Sequence, residues 1–259
     1  MLSLAINLAF SCSLRMGELL GLTWDCIDIS PDSIENNRAY IYVNKELQRV
    51  SKNAIEKLSN NKIIQRFPAV FPKNTTILVL KPPKTKTRVR KVYLPKAVAN
   101  MLIERKKEIE ELQEIFGEEY IDYNLVICSP NGRPMEGQVI TRLLNELIEK
   151  NGLPKVVFHS LRHTSTTYKL RLSGGDIKAV QGDTGHAQAT MVTERYSHIM
   201  DDDRRLNTER MQSDFYEGKT SISPPSASPS VSDAALTLAK ALEQSPELMN
   251  MLKTLMNKT

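Results

Sequence analysis

All four histidines of the 259-residue chain, His159, His163, His186 and His198, fall within one forty-residue stretch. His159 and His163 bracket Arg162 in "FHSLRHTSTTYKL", and Tyr196 follows in "RYSHI". Arginine offers a planar fork of donors matched to two phosphate oxygens, imidazole can donate or shuttle a proton, and a tyrosine hydroxyl can attack phosphorus. Together these side chains fit phosphoryl transfer through a covalent protein–phosphate link. Histidines at i and i+4 would also share a helix face suited to zinc, as in HExxH sites. Here Ser160 stands where that motif needs its glutamate, and no cysteine or carboxylate lies nearby at ligand spacing, so no metal site is expected. Taken alone, the histidines are equally compatible with ordinary hydrogen bonding on a helix surface or in a core.

The elements that must position these groups are legible as patterns. Residues 2–20 read as one helix with an apolar stripe at Leu4, Leu8, Ala9 and Cys12, and "AYIYVNKEL" reads as a strand. Between Lys45 and Thr76 the chain is polar and basic, which predicts a surface excursion closed by Pro68 and Pro72. "TILVLKPPKTKTRVRKVYLP" reads as strand, basic turn and strand, and Pro95 precedes a charged helix from Lys96 to about Phe116. "NLVICSPNGRPM" predicts a short strand and a turn, and residues 136–151 an amphipathic helix ending near Gly152. "FHSLRHTSTTYKLRLSG" predicts a helix stopped by Gly174 and Gly175, followed by a second short helix in "DIKAVQGDTGH" and a third bearing Tyr196. The composition then changes: "SISPPSASPS" has the character of a Ser/Pro linker, and an apolar-rich helical tail follows that could not bury its face alone.

Thirty-five Lys and Arg against thirty Asp and Glu give a formal charge of +5 and a pI near 9.0, so the placement of charge says more than its total. Basic residues are dense from Lys81 to Lys107, the first candidate for a phosphate-facing surface. The three cysteines are widely spaced and lack a CxxC pair, as expected for reduced thiols in a cytoplasmic protein. The apolar N-terminus has neither a basic leader nor a spanning length, and no membrane association is expected.

The order of these motifs resembles the tyrosine recombinase, or phage integrase, family over roughly residues 1–205. "SLRMGELLGLTWDCID" is similar to the family's first arginine box, "HSLRH" to its His-x-x-Arg box, "GDTGHAQATMVTERYSHI" to its Gly-His box and nucleophilic tyrosine, and "PKTKTRVRKVYLP" to its lysine-bearing hairpin. Each box alone is a weak pattern; four in the family's order make chance agreement improbable. The resemblance implies an α+β, mainly α-helical catalytic domain with a small antiparallel β-sheet or hairpin on one side. It implies that Arg15 and Arg162 clamp a scissile phosphate, that His159 and His186 complete the donors, and that Tyr196 is the nucleophile. Lys84 would be the general acid with Lys86 as the alternate, Glu18 and His163 would support the site, and Lys81, Lys86, Arg88 and Arg90 would face DNA.

The implied protein is a DNA strand transferase needing no cofactor, with double-stranded DNA as partner. A homotetramer on DNA exchanging its C-terminal tails is expected, with an excision factor and a host DNA-bending protein as further partners, in the bacterial cytoplasm. A catalytic domain over 1–217, a linker over 218–232 and a helical tail over 233–259 are expected. Family members usually carry DNA-binding domains ahead of the first arginine box, so the sequence also reads as N-terminally truncated. A non-catalytic DNA-binding regulator and a type IB topoisomerase-like enzyme are the competing readings.

Overall fold

Helix α1 (Leu2–Ser11) is apolar on nearly every side, and such a helix is stable only when surrounded. In the computed structural model, which describes residues 1–57, 63–69, 71, 73–185, 208–209 and 211–212, it is the central element. Its residues from Leu2 to Ala9 are all buried, and it packs against α5 (Lys96–Phe116), α6 (Gly137–Lys150) and α7 (Phe158–Leu172). The helices α5, α6 and α7 follow the boundaries that the sequence predicts. Cys12, Cys26 and Cys128 are buried free thiols.

The single helix expected over residues 2–20 is two. After α1 the chain turns through Ser13, whose φ of 52° lies in the left-handed region, and resumes at α2 (Met16–Leu20) with Arg15 as an extended N-cap. Ser13 is fully buried; its hydroxyl meets that of Ser165 on α7 at 2.6 Å, and its carbonyl accepts a hydrogen bond from Arg162 Nη1. A β-carbon in this conformation costs roughly 1–2 kcal/mol, which the partners from α7 offset. No glycine or proline marks the break, so the apolar stripe runs across it in the sequence.

Among the described residues, two three-stranded antiparallel sheets flank the helices. One has the order β1 (Ile27–Asp28), β2 (Tyr40–Val43), β6 (Arg90–Tyr93), with the short helix α3 (Pro31–Glu35) between β1 and β2 in the chain, and the other the order β3 (Glu46–Ser51), β5 (Thr76–Lys81), β4 (Gln65–Arg66). Strand β3 and the helix α4 (Lys52–Lys57) occupy part of the stretch expected to be a surface excursion. β3 pairs with β5 over six positions, from Glu46 opposite Lys81 to Ser51 opposite Thr76, yet buries only Leu47, which is why its sequence does not look like a strand. The basic segment also departs from a hairpin: β5 and β6 lie in different sheets, so the turn between them is a crossover.

Helix α2 closes directly onto β3. A β-carbon at Gly21 would lie 2.7 Å from the Leu47 amide nitrogen and 2.9 Å from the Glu46 carbonyl carbon, both rigid backbone. Gly21→Ala should therefore cost about 1–3 kcal/mol, as overpacking does. Thermal unfolding would read this as a Tm lowered by about 2–12 °C at this chain length; an unchanged Tm would mean that α2 does not rest on β3 here.

Candidate active site

A helix ends with unpaired carbonyls that carry the negative end of its dipole, and cations are stabilising there. Helix α8 (Ile177–Thr184) ends in this way, with Gly185 following at φ 62° as its left-handed cap. Three arginines from distant parts of the chain meet its last carbonyls. Arg90 Nε donates to the Asp183 carbonyl at 2.8 Å, Arg162 Nη2 to the Thr184 carbonyl at 2.6 Å, and Arg15 Nη2 to the Gly185 carbonyl at 3.3 Å. Lys169 on α7 adds an ion pair to the Asp183 carboxylate at 2.8 Å. Among the described residues two carboxylates, Glu18 and Asp183, pair with cations of this cluster, so the described part of it carries more positive than negative side chains.

Glu18 organises the cluster. It sits at the third position of α2 and is buried, and its carboxylate accepts the Arg15 backbone N–H at 3.1 Å, the Arg15 guanidinium at 2.8 Å and Arg90 Nη2 at 3.0 Å. Burial pushes this carboxyl up. The charge and hydrogen bond of Arg90, followed by those of Arg15, outweigh burial and hold it below the ordinary carboxylate value of 4.5. A depressed native pKa contributes stability that is full above the unfolded value and lost as pH falls through the native one. Stability should therefore drop below about pH 4.5, and Glu18→Gln should weaken that part of the acid dependence. At neutral pH Glu18→Gln should also cost about 1.5–3 kcal/mol, the scale of a hydrogen bond to a charged group. Urea unfolding at pH 7 and pH 4 checks both statements; an unaltered acid slope in the variant would count against the assignment.

The other expected site residues divide clearly. Arg162 is buried at 2% exposure, whereas Arg15 keeps about a quarter of its side chain open. His159 lies exposed one turn before Arg162 and lines an open groove of about 790 Å³. Leu14 and Met16, which flank Arg15, line the same groove with the polar face of α6. The His163 ring packs edge-on against that of His159, with centroids 4.6 Å apart. Lys84 and Lys86 are exposed on the crossover, while Lys81 and Arg88 both pair with Glu46, at 3.3 and 3.8 Å. Arg90 departs from the DNA-facing surface expected of it. It is 7% exposed, and its three nitrogens donate to Asp183, Arg88 and Glu18. His186, His198, Tyr196, and the expected linker and tail lie outside the described residues.

The two arginine boxes thus converge on one helix end, with the Gly-His box next in the chain. The model of the phage integrase family matches residues 1–203. The chain belongs to this family. It is 26% identical over 196 residues to the "Tyrosine recombinase XerC-like" protein of Caldanaerobacter subterraneus subsp. tengcongensis, a match covering 74% of this chain and 44% of that protein. It is 24% identical to the integrase of Staphylococcus phage L54a, over 78% of this chain and 49% of the relative. The chain therefore spans about half the length of the curated relatives it matches. A solved structure of the Tn1549 transposon integrase in complex with circular intermediate DNA shares the fold, with a TM-score of 0.57 and 24% identity over 80% of this chain and 59% of that one.

Within this integrase-family fold, two features escaped the sequence reading. Ser13 carries no signal of its left-handed turn. Arg90 does carry one: on β6 it shares the inward parity of Val92, while Lys91 and Tyr93 point out.

Proposed function

We propose that this chain is the catalytic domain of a site-specific DNA recombinase, an integrase that breaks and rejoins strands through a covalent 3′-phosphotyrosine intermediate to move a genetic element. The observation that carries the reading is the meeting of Arg15 and Arg162 at the end of α8, in a cluster whose described side chains are more positive than negative, with His159 one turn from Arg162 on α7. The names of the relatives, a tyrosine recombinase and an integrase, and the DNA in the Tn1549 integrase structure support it.

In this reading Arg15, Arg162, His159 and His186 face the non-bridging oxygens, where charge gathers in the transition state; one lost donor in such a site costs about 2.7–4 kcal/mol of barrier. Tyr196 attacks phosphorus, and the departing 5′ oxygen takes a proton from Lys84, with Lys86 as the alternate. An ammonium can give up this proton far more readily than a guanidinium. The phosphotyrosine ester keeps the chain ready for attack by a 5′ hydroxyl of another strand, so no ATP is consumed. Glu18 and His163 support the donors, and Lys81, Lys86 and Arg88 lie along the DNA. The finer assignments follow the same reading: a catalytic domain to residue 217, a linker over 218–232, and a tail over 233–259 exchanged within a tetramer on DNA. An excision factor and a host bending protein would act with it in the bacterial cytoplasm.

The test is a nicked suicide duplex that carries the junction DNA of the encoding element. The full-length product of the gene should yield a protein–DNA adduct that survives denaturation, and no adduct would sink the reading.

A further inference from the structure

We propose that Arg90 is a positioning residue for strand cleavage, fixing the end of α8, and through it the segment entering His186, while anchoring the far end of the basic crossover. The inference rests on the recombinase reading above. Its guanidinium uses all three nitrogens inside the protein, and each reaches a different part of the site. Nε holds the Asp183 carbonyl on α8, Nη1 the Arg88 carbonyl at the base of the crossover, and Nη2 the Glu18 carboxylate that also binds Arg15.

A second observation is independent of these bonds. A β-carbon on Gly185 would lie 3.0 Å from Arg90 Nη1, 3.2 Å from Cδ and 3.3 Å from Cζ. The guanidinium is thus packed closely against the cap of α8, where a β-carbon would fit only if a neighbour gave by a few tenths of an ångström. The crossover from Lys81 to Arg90 bears Lys84 and Lys86, so one side chain joins the lysine-bearing segment, the first arginine box and the residue preceding His186. A lysine at 90 would keep the charge facing Glu18 but, as a point donor on a flexible stem, could not span the three sites.

The experiment compares the full chain with its Arg90→Lys and Arg88→Ala variants. Hydrogen exchange is followed over residues 177–186, affinity is measured on a generic 30-base-pair duplex across a salt series, and adduct formation is timed at saturating suicide duplex. Arg90→Lys should exchange at least tenfold faster over 177–186, with peptides of α5 and α6 unchanged. It should keep the wild-type duplex affinity and salt slope, and form adduct at least tenfold more slowly. Arg88→Ala should instead lower affinity and reduce the salt slope by about one, the pattern of a lost phosphate contact.

Unchanged exchange over 177–186, or a normal rate despite faster exchange, overturns the proposal. So does a lowered salt slope in Arg90→Lys, which would make Arg90 a phosphate contact. Loosening of every peptide alike would reduce Arg90 to a general stabiliser and also overturn it. Absence of adduct from the wild-type full-length protein is a distinct outcome, since it removes the recombinase reading and the cleavage role together.

Discussion

The Tyr196→Phe chain should bind duplex DNA as tightly as the wild type and form no covalent adduct with a suicide substrate. The two side chains differ by one oxygen, and that oxygen is the atom proposed to bond to phosphorus. Arginine donors, imidazoles and lysine all remain, so the phosphate is still bound and polarised, but nothing attacks it. The loss should be complete rather than partial, because a bond-forming atom has no substitute, whereas a lost donor leaves residual rate. The free hydroxyl has a reference pKa of about 10 and is ionised in only about one molecule per thousand at neutral pH. In the proposed reaction a base beside the hydroxyl therefore takes its proton as the bond to phosphorus forms, with His159 the candidate. Adduct that persists in Tyr196→Phe would point to another tyrosine. Tyr168, on the same helix as Arg162 and 42% exposed, would be the first to map by peptide sequencing.

How far such chemistry can be read without coordinates depends on whether the determinants are local. Helix α5 begins after Pro95, and α7 ends before Gly174 and Gly175, which take φ values of 62° and 89°. Those boundaries follow from backbone chemistry of single residues, so the pattern predicts them. The break between α1 and α2 is different. It depends on Arg162, 149 residues away, accepting the role of partner to the Ser13 carbonyl, and no local signal encodes that. Strand β3 fails for a related reason: it is an edge strand held by its ladder to β5, with one buried side chain in six, so alternation barely shows. The separation of β5 and β6 into two sheets is likewise a matter of which strands find each other. The family's boxes were legible as residue types and spacings, and the structure brings Arg15 and Arg162 of two of them to one place. What holds them, the end of α8, was not legible. Arg90 is the instructive case, because counting it among the basic residues of the crossover concealed the inward parity that its place on β6 displays.

Arg162→Ala should damage both stability and chemistry, and the two losses can be separated. Its guanidinium bridges the Ser13 carbonyl and the Thr184 carbonyl, so it ties the left-handed turn that opens the first arginine box to the end of α8. Leaving two buried acceptors unmatched costs about 1–3 kcal/mol each, and the vacated volume adds to this. A Tm reduction of about 10 °C is expected on that basis. Arg162→Lys is the discriminating variant. It retains a buried positive charge near the helix end, but a single ammonium on a flexible stem cannot hold both carbonyls in the same plane. Its stability should lie between wild type and Arg162→Ala. If Arg162 also stabilises the phosphate in the transition state, Arg162→Lys should lose about 10²–10³ in adduct rate at saturating DNA, measured well below its Tm. A purely structural arginine would give a different result, with the rate recovering at low temperature once the fold is intact. Recovery to within about threefold of wild type would confine Arg162 to holding the Ser13 turn and leave Arg15 as the arginine acting on phosphate.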